Sequence, residues 1–220
     1  MRRAPRAMTG AGAAFALFAA SACTPTVAGE ARPALADLDA PLHRIAVLPF
    51  AVSPLVRANE KGVQPRVAAQ LVSRYVAEAL AARGLEVIAP EDVAATLAKA
   101  DPARRAAEVL AEKHGVDAVV LGDLTRWEER EGKAYGTFEA AAVGFRVTLQ
   151  GAPTGRTLWS GEFDERQQPL GDNVLRAGRY PGAGTRWLTA EELARWGAQE
   201  IANALPTGPK GLKEPAGPKR

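Results

Sequence analysis

Apolar positions along this chain follow two rhythms, continuous runs or a period of two in some stretches and a helical stripe in others. Arg44–Phe50 (RIAVLPF) is almost wholly apolar, as a strand covered on both faces requires, and Pro49 near its end withholds an amide from further pairing. Pro65–Arg83 then sets Val67, Leu71, Val72, Tyr75, Val76, Ala79 and Leu80 on one helical stripe, with Pro65 in the first turn and Gly84 at C′. Leu85–Ile88 predicts a second short strand, and Asp92–Lys99 and Pro102–His114 predict two helices. The later one has Asp101 as N-cap, Pro102 at N1 and Gly115 as its stop. Ala118–Gly122 (AVVLG) predicts another buried strand.

Beyond Asp123 the pattern changes to longer alternating segments. Leu124–Arg130, Ala140–Gln150 and Thr157–Arg166 are expected to be antiparallel neighbours. In the second of them Val143, Phe145, Val147 and Leu149 face one way and Arg146, Thr148 and Gln150 the other. Pro153, Thr154 and Gly155 mark a hairpin turn. Leu170–Trp187 reads as a long loop, and Thr189–Leu205 as a last helix. That helix opens with a Thr189/Glu192 capping box and buries Leu193, Trp196, Ile201 and Leu205. The pattern predicts an α/β fold: a single domain, with a mixed parallel and antiparallel sheet packed by helices and a C-terminal helix.

The two ends lie outside that pattern. Arg2, Arg3 and Arg6 precede a short apolar run, Ala11–Ala20, too short to span a bilayer, and Ala20-Ser21-Ala22 leads into Cys23, the only cysteine of the chain. This resembles the signal and lipobox of bacterial lipoproteins, with Ala20 where leucine is usual. The resemblance implies cleavage before Cys23, a lipid thioether on its sulfur and an acylated amino terminus, a multi-chain anchor that holds stably. Thr24 in place of Asp resembles the outer-membrane sorting pattern. Residues 1–22 are therefore expected to be a signal peptide, 23–41 a flexible lipid-anchored tether, 42–205 the α/β periplasmic domain and 206–220 a disordered basic tail.

Charge then changes the picture of partners. The formal +3 resides in the three signal arginines, which leaves 25 basic against 25 acidic side chains; without the tail the body holds 21 against 24. No basic, aromatic-interleaved surface appears, so nucleic acid is rejected as a partner.

The order of elements, with AVLPF closing the first strand, Gly84–Pro90 followed by a helix, and Gly115–Gly122 (GVDAVVLG) before an antiparallel sheet, resembles a group of bacterial periplasmic proteins. The group comprises the curli-secretion lipoprotein, the penicillin-binding-protein activator lipoprotein B and the amino-terminal domain of the Tol-system translocation protein. The resemblance covers roughly 44–205 and implies docking to envelope partners or assembly, without catalysis.

The residues themselves offer little chemistry. His43 borders the first strand and His114 ends a helix, where its cationic form suits the dipole. No spacing supplies a metal-ligand set, so no metal and no cofactor are expected. Asp123, Glu128, Glu129 and Glu131, mixed with Arg126, Arg130 and Lys133, read as a solvated edge rather than a catalytic carboxylate pair. Gly182–Gly184 lacks the lysine of a phosphate loop. Asp172, Asn173, Arg176, Arg179, Tyr180, Arg186 and Trp187 combine mobile backbone with the Arg and aromatic types that anchor interfaces. The alternative for this loop is an irregular connection with Leu175 and Tyr180 packed on the sheet. Trp127 either packs on an edge strand or presents an anchor, and Trp159 and Trp196 are expected in the core.

The expectation is a non-catalytic outer-membrane lipoprotein, held to the periplasmic side by lipid on Cys23, acting as a protein-binding or assembly accessory module in the cell envelope. The alternative is an oligomeric accessory subunit of an outer-membrane secretion system, for which a homo-oligomer is required.

Overall fold

The computed structural model describes residues 27–31, 41–59, 62–168, 180–181 and 186–207. Within them the α/β class predicted from sequence is present as nine strands and four helices. Cys23, the signal segment, and all but the first two residues of the expected tail lie outside the described residues.

The first core strand is β2 (Arg44–Val47), whose Ile45, Ala46 and Val47 are wholly buried because helices cover both faces of the sheet there. The chain does not leave the sheet at Pro49. Leu48 N–H still donates to Val120 O at 2.9 Å, and after the proline β3 (Ala51–Ala58) resumes parallel pairing further along the same neighbour. β3 was not expected from the sequence because Pro54 interrupts it. The structure accommodates that missing amide with a register shift between Val52 and Arg57.

Helix α1 (Pro65–Ala82) starts with Pro65 at its first position and stops at Gly84, which takes φ of 86°. Its stripe is as predicted except for Val67, which is 44% exposed at the first turn, before the helix meets the sheet. β4 (Glu86–Ile88) and α2 (Pro90–Leu97) follow. Helix α3 spans Ala106–His114, four residues shorter at its start than expected. Asp101 does accept from a nearby amide, that of Ala103 at 2.9 Å, but the bond closes a local turn and Arg105 takes the N-cap place.

The two strands expected on either side of Asp123 are one strand, β5 (Ala118–Glu128). It forms the spine of the sheet, pairing in parallel with β2 and β3 along one edge and antiparallel with β8 (Ala142–Gly151) along the other. A two-stranded hairpin, β6 (Glu131–Lys133) and β7 (Gly136–Glu139), interrupts the path from β5 to β8. β9 (Thr157–Arg166) returns through the predicted 153–155 turn. A last correction concerns the tether, because β1 (Val27–Ala31) pairs antiparallel with β9 within the stretch expected to be flexible.

Val143, Phe145, Val147 and Leu149 of β8 are all wholly buried on the face that receives α1 and α4 (Ala190–Ala204). Rings of Phe50, Phe145, Phe163, Trp196 and Tyr180 run through this core in sequence, with centroids 5.4–6.4 Å apart. Tilted and edge-on pairs at such spacings add to what burial alone contributes. A smaller apolar cluster on the opposite face, with Ala46, Val93, Leu110 and Val119, seats α2 and α3 beside the start of β5.

Candidate docking end of the domain

The described residues among those singled out from sequence, Trp127, Tyr180, Arg186 and Trp187, lie at one end of the sheet, where β5 finishes and α4 begins. Glu129, just past β5, organises this end. Its main chain exchanges hydrogen bonds with the Asn59 side chain, 2.8 Å from Asn59 Nδ2 to its carbonyl and 3.1 Å from its amide to Asn59 Oδ1. Its carboxylate accepts from the Ala190 amide, with both oxygens 3.2 Å away, at the first turn of α4 where negative charge is favoured.

The approach to α4 is held as firmly. Leu188 N–H donates to Gln167 Oε1 at 2.6 Å, and Gln167 Nε2 donates to Arg186 O at 2.9 Å, so this buried amide side chain has a partner at each end. Arg186 forms a two-pronged pair with Glu192, at 2.7 and 2.6 Å. Thr189 and Glu192 complete the capping box predicted from sequence. The bond from Arg186 is the largest influence on the Glu192 carboxyl, and with the Thr189 amide it outweighs burial and lowers the group from 4.5 to about 2.

The β6–β7 hairpin stands on this base. Trp187 N–H donates to Ala134 O at 2.8 Å, Arg130 Nη1 donates to Trp187 O at 2.5 Å, and Thr137 Oγ1 lies within bonding reach of Glu131 O and Glu139 O. Gly132 adopts φ of 114°, with the main chain of Gly136 and Thr137 so near that a Cβ would collide. The tip therefore has a fixed conformation, and it exposes two aromatic rings, Tyr135 at 85% and Phe138 at 92%. Neither ring was expected from the sequence, although Tyr135 beside Gly136, between two alternating segments, was a readable signal.

Two expected contact residues prove to be core. Trp127 is 2% exposed, because it packs within the main core cluster with Gly62 close to its indole nitrogen, and its indole N–H has no hydrogen-bond partner among the described residues. Tyr180 is 5% exposed, stacked edge-on against Trp196 with its hydroxyl donating to Glu165 at 2.7 Å. Both are corrections to the anchor role, and for Tyr180 the packed alternative holds. Arg186 and Trp187 are half-buried at this end. Asp172, Asn173, Arg176 and Arg179 lie outside the described residues.

Elsewhere two grooves open. One, of about 370 Å³ between α1 and α4, has Arg195 laid over the Tyr75 ring at 4.2 Å. There burial first, then a 2.6 Å bond to Glu191, pushes the Tyr75 phenol up to about 12. Arg83 donates to Leu205 O at 2.7 Å and to Ala202 O, closing the end of α4 against α1. The other groove, of about 550 Å³ between α2 and α3, is lined by Ile88, Ala95 and Val109 together with Lys99, Lys113, His114 and Asp92. His114 Nε2 lies 2.8 Å from Thr96 Oγ1, whose proton goes to Asp92 O at 2.9 Å. His43 is exposed. Among the described residues no group of three or more His, Cys, Asp or Glu side chains could hold a metal ion, and no helix is long and apolar enough to cross a membrane.

No family model matches the sequence, and no curated protein matches it. Solved structures similar to this one include three bacterial proteins. A PelC dodecamer from Paraburkholderia phytofirmans is 16% identical over 80% of this chain and 93% of that one, with a TM-score of 0.46. The lipoprotein GNA1162 from Neisseria meningitidis is 20% identical over 57% of this chain and 83% of that one, with a TM-score of 0.39. The LpoB C-terminal domain from Salmonella enterica is 18% identical over 58% of this chain and 84% of that one, with a TM-score of 0.37. The group that the sequence resembles is thus represented among its structural neighbours.

Proposed function

We propose that this chain is a non-catalytic accessory lipoprotein of the bacterial outer membrane, held on the periplasmic side by lipid on Cys23, and that it binds another protein through the β6–β7 end of its domain. The observation that carries the reading is the hairpin itself. Two aromatic rings at 85% and 92% exposure are costly to leave in water, and Arg186–Thr189 beneath them is fixed by hydrogen bonds and an ion pair. A rigid aromatic projection loses little conformational freedom on binding, which is why such side chains dominate interface energetics. Asp172, Asn173, Arg176 and Arg179, further contacts proposed from residue type alone, lie outside the described residues. The lipid would act by concentrating the domain near its partner.

The test is in-cell crosslinking of the full lipidated chain, comparing it with the double variant Tyr135→Ser, Phe138→Ser. Because both side chains are exposed, the variant is expected to melt like the parent while capture of partner proteins falls by about tenfold or more. Undiminished capture by a folded variant would remove the hairpin from the interface. The companion variant Cys23→Ala is expected to move the protein out of washed membranes.

A further inference from the structure

Three surface features outside the hairpin could do more than hold the fold together: the groove between α1 and α4, the charged outer face of β5, β8 and β9, and the groove between α2 and α3. The first is already filled by Arg195 and Arg83 in the service of helix packing. The second has its arginines paired within the sheet, Arg126 with Asp164 at 2.6 Å, Arg146 with Glu162 at 3.1 Å, and Arg166 with Glu128. The third is open, and an apolar stretch of it leads to a cationic end.

We infer that the groove between α2 and α3 binds a single-chain anionic amphiphile, a fatty-acid carboxylate, with its hydrocarbon on the apolar stretch and its head group among Lys99, Lys113 and His114. This site is independent of the reading of the hairpin. At about 550 Å³ the groove falls within the roughly 300–1,000 Å³ of small-ligand sites. Sequence spacing sorts its lining by chemistry. Ala95 and Lys99 are four residues apart at the end of α2, and Val109 and Lys113 four apart in α3, so each helix sets an apolar position one turn from an ammonium group. Ile88, at the end of β4, extends the apolar stretch. The 2.8 Å contact of His114 Nε2 with Thr96 Oγ1 brings the last turn of α3 against the turn of α2 that leads to Lys99, so the basic side chains gather at one end.

The carboxylates nearby leave that end positive. Asp92 stands seven residues before Lys99, roughly 10 Å along the helix, in the first turn of α2. Glu112 lies 3.6 Å from Lys113 but 2.8 Å from Arg104, and the bond from Arg104 is the largest influence lowering its carboxyl. Lys113 is therefore offset only in part. Arg44, which donates to His114 O at 2.9 Å, is matched by Glu86 at 2.7 Å. Lys99 has no ion-pair partner among the described residues. Cations near helix ends also offset the carbonyl dipoles there, but that role needs no apolar stretch beside them. An acyl carboxylate answers both halves of the lining, with charge for the ammonium groups and hydrocarbon for Ile88, Ala95 and Val109.

Topology separates this site from the bilayer that lipid on Cys23 would reach. β1 and β4 are opposite ends of the strand order, five spacings apart, or roughly 24 Å, and Ile88 is on β4. The ligand is thus a free amphiphile and not the surface of the anchoring membrane.

A twelve-carbon fatty acid with a diazirine in its chain, irradiated with the full chain in the native envelope, tests this. The label is expected on residues 88–114. Lys99→Gln with Lys113→Gln keeps the carbon stems at two exposed positions, and is expected to melt like the parent while that labelling falls by about tenfold or more. Ala95→Glu, a carboxylate at an exposed position of the apolar stretch, is expected to do the same. The diazirine alcohol of equal chain length should label the parent weakly and be indifferent to loss of the lysines. Label confined to other regions, as when a protein covers the groove, would overturn the inference. So would label at 88–114 that the alcohol matches, or that persists in the folded lysine variant, since the ammonium groups would then select nothing.

Discussion

Gly197 of α4 lies beneath the Phe163 ring, where a Cβ would come within 2.6 Å of two ring carbons. Two effects oppose each other at this position. Alanine gains about 1 kcal/mol over glycine in a helix interior, whereas forcing an extra methyl against a fixed core ring costs about 1–3 kcal/mol. Phe163 is 2% exposed and is held between Phe145 and Trp196, at 5.4 and 5.5 Å, so it has no room to retreat. Packing should win, and Gly197→Ala is expected to lower the melting temperature by a few degrees, at about 2–4 °C per kcal/mol for a chain of this size. A stabilised variant in a thermal melt would show that α4 can slide off the ring. The same scale explains the misassigned tryptophan and tyrosine. Residue type alone made Trp127 and Tyr180 interface candidates, but Trp127 packs in the main core cluster and Tyr180 against Trp196 of α4, contacts that composition does not reveal.

The start of α4 shows what a whole element contributes. Glu129 accepts from the Ala190 amide, Thr189 from that of Glu192 and Glu192 from that of Thr189, while Arg186 pairs with the Glu192 carboxylate and so holds the segment on which the hairpin stands. Glu192 sits at about 2 in the folded protein, below its ordinary 4.5. A group lowered in this way stabilises the fold above its unfolded value and loses that contribution as pH falls from about 4.5 towards about 2. Glu192→Gln is expected to be less stable than the parent at neutral pH and to lose less stability over that acid interval. Urea unfolding at several pH values checks it, and parallel acid limbs for the two proteins would sink the assignment. This element was the most legible part of the sequence, because a capping box and an apolar stripe are both local signals. β2, α1, β4, β8, β9 and the 153–155 turn were legible for the same reason. The start of α3 was misplaced because a good capping pair, Asp101 and Pro102, was used in a turn. β3 was not legible, and of the β6–β7 hairpin only the Tyr135-Gly136 pair at its tip was. A strand containing proline and an arm built largely of exposed residues have no inward-facing period, and they exist because β5 and the 186–189 segment supply their hydrogen-bond partners.

At the scale of the whole molecule, the position of β1 decides how the domain is presented to a membrane. Eighteen residues between Cys23 and Leu42 would reach roughly 60 Å if extended and would let the domain turn freely. Pairing of Val27–Ala31 with Trp159–Phe163 removes most of that freedom, because the path from Cys23 to Val27 then spans at most about 14 Å. With lipid on Cys23, the β1–β9 edge becomes the side nearest the bilayer, and copies anchored this way share one orientation. β1 also covers the edge of β9, whose amides would otherwise face water. Hydrogen exchange on the full chain should therefore find slow amides in 27–31 and along the β9 edge that faces them. Ala28→Pro with Gly29→Pro removes consecutive amides, so at least one ladder bond is lost whichever residue donates, and both sets of amides should then exchange quickly while β8 stays protected. Fast exchange at 27–31 in the parent chain would return this segment to the role of a loose tether, and the fixed orientation would go with it.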